Sequence, residues 1–130
     1  MARIFVLDDE ENIMRTWVLI LNKSGHETTG FGHPHAALEA IRQNPPDLLV
    51  SDVGLPGMTG IELAITLLKE KIPTKVLLCS GQTVTADYID EAAHLGYDFA
   101  VLPKPVGPPV LIETVRQLLG GAPQSKATAR

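Results

Sequence analysis

Several apolar runs in this chain end on residues able to do ionic chemistry. "RIFVL" (3–7) runs straight into Asp8 and Asp9, "DLLVSD" closes on Asp52, "KVLLCS" closes on Ser80 with Gly81 behind it, and "DFAVL" leads within two residues to Lys104. Three carboxylates brought together repel, and each is driven toward protonation unless a cation sits among them. A divalent metal answers that need. The cluster offers carboxylate and backbone carbonyl oxygens, with no Cys or His at these run ends, and hard oxygen donors point to magnesium. With a cation bridging Asp52 to a phosphoryl oxygen, Lys104 as a second positive charge and the hydroxyl of Ser80 nearby, the set makes an electrostatic cradle for phosphoryl transfer. Asp52 is then the nucleophile.

Such residues must be made to meet, and the intervening sequence supplies the means. Strand signals fall at 3–7, 26–31, 47–52, 75–80 and 98–102; helical periodicity falls at 13–24, 34–44, 60–71, 85–96 and 108–120. Ile13, Trp17 and Leu21 recur at helical spacing before the stop signal Gly25, and Pro34 stands at a first helical position ahead of Ala37, Leu38 and Ile41. "HETTGF" is the weakest strand, its Thr pair favouring extension while its charged and titratable residues do not. Alternation of this kind through short connections predicts a (βα)5 unit: an α/β, doubly wound, five-stranded parallel sheet with helices on both faces. In such sheets ligands bind outside the carboxyl ends of the strands. All the polar residues above belong to that rim.

The composition sets outer limits. A chain of 130 residues with 45% apolar and 20% charged residues suits one ordinary domain, expected over 1–120 with a flexible tail or linker at 121–130. A formal charge of -4 argues against a dedicated nucleic-acid surface, and no apolar stretch has the length a membrane helix needs. The single cysteine, Cys79, excludes an internal disulfide and fits a reducing cytoplasm, as does an N-terminus that turns acidic too early for a signal peptide. Cys79 itself reads as a small core residue and Trp17 as helix packing. His33 and His35 are too few for a metal site, and "GFGHPH" lacks the third glycine of a dinucleotide loop.

Taken in order, these residues resemble the receiver domains of bacterial two-component response regulators, a flavodoxin-like family, over essentially residues 3–119. The match rests on the acidic pair Asp8-Asp9, on "DVGLPGMTG" with Asp52, Pro56 and Gly60 spaced D-x3-P-x3-G, on Ser80, and on Lys104-Pro105. The resemblance implies that Asp52 accepts a phosphoryl group from a histidine kinase or a phosphotransfer protein. It implies that Asp9, Asp52 and the carbonyl of Gly54 hold magnesium, with Asp8 reaching it through water. Ser80 would turn toward the phosphoryl oxygen, Lys104 would pair with it, and the Lys104-Pro105 bond would be cis. Gly54 and Gln82 fall where the family modulates acyl-phosphate hydrolysis, and Gly81 and Pro105 shape the phosphoryl loop.

One position departs from the pattern. Where the family carries an aromatic switch residue, three before the lysine, this chain has Val101, with Phe99 two residues earlier. The conformational signal is then expected from the loop after Ser80 and the helix beginning near Thr83, passing through the face built by 85–96, 98–102 and 108–119. The downstream protein is unspecified; a phosphorylation-dependent homodimer is one candidate assembly, and "GGAPQS" is either a tail or a linker to more protein.

Three other readings fare worse. A hydrolase of the haloacid-dehalogenase type needs an acid two residues after its nucleophile, where this chain has Gly54. A flavin site would place its phosphate against Asp8-Asp9-Glu10-Glu11, which repel it. An inactive pseudo-receiver serving as an interaction module would have lost one of the reactive groups, and none is missing.

Overall fold

Alternation along the central runs decides which helix covers which face. The computed structural model describes residues 2–81 and 99–120. Over them run β1 (Arg3–Leu7), α1 (Glu11–Lys23), β2 (Glu27–Phe31), α2 (Pro34–Gln43), β3 (Leu48–Asp52), α3 (Gly60–Lys69), β4 (Lys75–Ser80), β5 (Ala100–Pro103) and α4 (Pro108–Leu119). Gln82 and the helix expected at 85–96 lie outside the described residues. The strands form one parallel sheet in the order β2-β1-β3-β4-β5. The five-stranded α/β architecture expected from the sequence is the one observed.

Phe5, Leu7, Leu49 and Leu78 point to one face, where Ala37, Leu38 and Ile41 of α2 and Ile61, Leu63, Ala64 and Leu67 of α3 bury them. Ile4, Val6, Leu48, Val50, Leu77 and Cys79 point the other way, under Trp17 and Leu21 of α1 and Leu111, Val115 and Leu118 of α4. Each Leu or Ile so enclosed stabilises by about 1.5–3 kcal/mol. β1, β3 and β4 are therefore held from both sides and have almost no freedom to shift.

The polar β2 is explained by its place. It is an edge strand, bonded only to β1, with Arg3 opposite Glu27 and Leu7 opposite Phe31. An edge tolerates charge because one side of its backbone faces water. Phe99, whose place in the switch was open, is 2% exposed and packs in the α2/α3 core, and the half-buried Val101 packs against that same cluster.

Helix ends refine the expected boundaries. α3 opens on a reciprocal cap: Thr59 Oγ1 accepts the Glu62 N–H at 3.1 Å while Glu62 Oε1 accepts the Thr59 N–H at 2.8 Å. It stops at Lys69, short of the expected 71, because Lys71 takes φ +59° and the Lys71 and Ile72 N–H groups turn back to Leu68 and Leu67. A left-handed residue costs an L side chain about 1–2 kcal/mol, which glycine avoids at some cost in chain entropy. Lys71→Gly should therefore raise stability by about 0.5–1 kcal/mol, measured by urea unfolding; a lower midpoint would contradict this account of the helix end.

Candidate functional site

The strand order reverses between β1 and β3, since β2 lies beyond β1 on one side and β4 beyond β3 on the other. That junction is where an open α/β sheet leaves a crevice. Asp8 and Asp9 leave the end of β1, and Asp52 ends β3. One carboxylate oxygen from each of Asp8, Asp9 and Asp52 lies within 4.8 Å of the others. Lys104, just past β5, reaches the same point: its Nζ donates to Asp8 Oδ2 at 2.8 Å and pairs with Asp52 Oδ1 at 3.4 Å. Residues separated by almost the whole chain thus meet at one rim.

The three acids are not equivalent. Asp8 is wholly buried, with Oδ1 accepting the Glu10 N–H at 2.9 Å and Oδ2 held by Lys104. Asp9 is exposed and Asp52 half-buried. Burial raises the pKa of Asp52, the Lys104 charge opposes that rise, and the Asp8 charge adds to it; the net is upward. For Lys104 burial acts to lower the pKa, but the hydrogen bond to Asp8 and the charges of Asp52 and Asp8 outweigh it, so the ammonium is firmly protonated.

Backbone details fix these side chains. The Lys104 N–H donates to the Ser80 carbonyl at 2.8 Å, extending the β4–β5 register to the lysine. Ser80 itself pairs with Pro103 at the end of β4, and the Lys104-Pro105 bond is cis. A Cβ on Gly81 would lie 3.2 Å from Lys104 Cβ, so the lysine stem runs closely along the β4 exit. The glycine that lets backbone approach Asp52 is Gly60, not Gly54: a Cβ on Gly60 would stand 2.4 Å from the Asp52 carbonyl oxygen, while one on Gly54 meets nothing within 4 Å. Gly57 needs its residue type for another reason, φ +83°.

Other residues singled out in the sequence settle into structural roles. Cys79 is fully buried, and burial pushes its thiol up to about 12. His33 caps α2, its Nδ1 accepting the His35 N–H. Trp17 is 5% exposed in the core, yet its ring also lies under the Lys104 ammonium, 5.5 Å from Nζ to ring centroid, a contact the sequence did not foretell. No described helix is long and apolar enough to cross a membrane.

The chain matches the response regulator receiver domain family over residues 4–116, and it belongs to that family. The DNA-binding response regulator MtrA of Mycolicibacterium smegmatis is 32% identical over 117 residues, which are 90% of this chain and 50% of MtrA. The response regulator receiver protein CpdR of Brucella abortus is 30% identical over 119 residues, 92% of this chain and 98% of its own length. The chain thus spans about half the length of the mycobacterial MtrA relatives and 28% of the Salmonella regulator PgtA, but nearly all of CpdR. Among solved structures, a receiver domain protein from Clostridium thermocellum superposes with a TM-score of 0.82 at 23% identity, covering 92% of this chain and 95% of its own. TrrA of Thermotoga maritima, solved with magnesium and beryllofluoride, superposes at 0.78 with 28% identity, covering 91% and 99%. The protein is a receiver domain of the kind used in phosphorylation-dependent signalling.

Two predictions come from this geometry. Gly60→Ala should lose about 1–3 kcal/mol of stability through overpacking against the Asp52 backbone, whereas Gly54→Ala should be near neutral; equal melting temperatures for the two variants would refute the distinction. The second concerns pH in the absence of metal. Because the folded pKa of Asp52 lies above its ordinary value, the folded protein binds more protons than the unfolded chain between those two values, and stability falls as pH rises through that window. Asp52→Asn should therefore melt above wild type at pH 7 in chelator, and the advantage should vanish as pH drops toward the ordinary carboxylate range.

Proposed function

We propose that Asp52 is the phosphoryl acceptor of this receiver, loaded by a histidine kinase or a phosphotransfer protein in a magnesium-dependent reaction. The observation that carries this reading is the meeting of Asp8, Asp9, Asp52 and Lys104 at the sheet's switch point. An Asp52 carboxylate oxygen attacks phosphorus, the P–N bond to the donor imidazole breaks, and its electron pair returns to the ring nitrogen. Hydrolysis later restores the carboxylate and releases inorganic phosphate.

The donor set suits magnesium, being three carboxylates drawn from two strand ends. Asp9, Asp52 and the Gly54 carbonyl would hold it directly. Asp8, with Oδ1 on a backbone N–H and Oδ2 on Lys104, is better placed to act through water. When bound, the metal neutralises charge on the phosphoryl oxygens during transfer. Lys104 supplies a second positive charge fixed before the reaction begins, and Ser80 at the neighbouring strand end would donate its hydroxyl to a phosphoryl oxygen. Gly81, Gln82 and Pro105 would shape that side of the site, and Gln82 with Gly54 would set the lifetime of the acyl phosphate.

Phosphorylation at the rim would be read at the surface by a downstream protein or by a second copy of the chain. Residues 1–120 form the receiver on this reading, with 121–130 as tail or linker, in a cytoplasmic protein. Incubation of wild type and Asp52→Asn with magnesium and acetyl phosphate tests the core claim. A mass gain of one phosphoryl group on wild type only, abolished by chelator, is expected; an equal gain on Asp52→Asn would place the acceptor elsewhere.

A further inference from the structure

Lys104 is enclosed on more sides than its two ion pairs require. Its stem runs beside Gly81, its ammonium meets Asp8 and Asp52, and the remaining flank faces the indole of Trp17, 5.5 Å from Nζ to ring centroid. Trp17 lies on α1, on the buried face that also carries Leu21, and any large aliphatic residue would fill its place in the core cluster that includes Ile4, Val6 and Val50. Only an aromatic ring adds a face of negative potential toward the lysine. A cation over such a face is attracted by the ring quadrupole, and more strongly where water is excluded. Here the lysine side chain is 17% exposed and Trp17 5%. The contact is therefore of the shielded kind.

Building on Asp52 as acceptor, we propose that Trp17 is a positioning residue for Lys104: its indole face holds the ammonium over the crevice when Asp8 and Asp52 are drawn toward other partners. The two carboxylates are also candidate neighbours of magnesium, so each is a contested anchor for the lysine. The ring is not contested, because it binds neither a hard metal nor an anion. An ammonium held by carboxylates alone would be free to follow them or leave for solvent. One also held by Trp17 stays within reach of the incoming phosphoryl group, which lowers the reorganisation needed during transfer. Trp17 touches neither metal nor phosphate and acts only through Lys104.

Because Trp17 is the only tryptophan in the chain, its fluorescence reports on this contact directly. The first measurement compares the emission of wild type and Lys104→Met in chelator, where neither metal nor phosphate is needed. A difference in intensity or maximum is expected, followed by a further change in wild type, absent from Lys104→Met, when magnesium and beryllofluoride are added. Identical emission from the two proteins in chelator overturns the proposal.

The second measurement is the rate of Asp52 phosphorylation by acetyl phosphate. Trp17→Leu should slow it roughly three- to tenfold, and Trp17→Phe, which keeps a ring, should recover it to within roughly twofold. Equal slowing by Leu and Phe marks Trp17 as mere core filling and also overturns the proposal. Should Trp17→Leu fail to fold, the emission comparison still decides. Failure of wild type to form the adduct sinks the acceptor assignment instead, a result separate from the chelator comparison.

Discussion

The site turns on one ammonium shared by two carboxylates. Lys104 lies 2.8 Å from Asp8 and 3.4 Å from Asp52, and with Asp9 in the same cluster the acids outnumber the cation three to one. Left alone, such a group carries two uncompensated negative charges, and a divalent ion is the smallest addition that balances it. Protonation is the alternative, and burial, with the Asp8 charge adding to it, presses the Asp52 pKa that way against the opposing Lys104 charge. The lysine limits that pressure without removing it. Crowding of this sort does not strengthen the fold, because desolvating the charges offsets most of their mutual attraction.

Everything else in the fold makes that crowding tolerable. The carboxylates are fixed because β1 and β3 are packed on both faces and bonded to each other, Leu7 opposite Ser51. The lysine is fixed because its own N–H continues the β4–β5 ladder to Ser80. On the Asp52 side, Gly60 lets the first turn of α3 press onto the Asp52 carbonyl, and the Thr59–Glu62 cap locks that turn. Ser51, fully buried, donates its hydroxyl to the same carbonyl at 2.8 Å. The backbone at Asp52 is thus restrained from several directions while its carboxylate stays at the rim.

Much of this was legible beforehand, for identifiable reasons. Strand and helix periods differ, so the βα alternation could be read directly, and parallel topology then forces strand-end residues onto one rim. Patterns could not reveal inequality among like residues. Asp8 and Asp9 are neighbours of one type, but only the fold buries the first completely and leaves the second exposed. Gly54 and Gly60 look alike in "DVGLPGMTG", yet close approach concerns Gly60 alone. The left-handed Lys71 carries none of the glycine or asparagine signals that mark such a turn, so the helical pattern in the sequence runs two residues past the end of α3. Trp17 matched a core period, and its second role depends on how far a large ring reaches beyond that core.

The inequality of Asp8 and Asp9 bears on how the proposed switch would operate. Asp8 is engaged by a backbone N–H and by Lys104, so on this reading it would hold the lysine near Asp52. Asp9, exposed, would be open to a metal arriving from solvent. A phosphoryl group on Asp52 would bring more negative charge than the carboxylate it modifies and would compete with Asp8 for the one ammonium. Charge-assisted contacts are worth about 1.5–3 kcal/mol each, while reversing a two-state population from 1:99 to 99:1 takes about 5.5 kcal/mol. Transfer of Lys104 alone falls short of that, since what it gains at the phosphoryl group it partly loses at Asp8. A second new contact would then be required, and on the proposed reading the hydroxyl of Ser80, whose carbonyl already holds the lysine backbone, would make it.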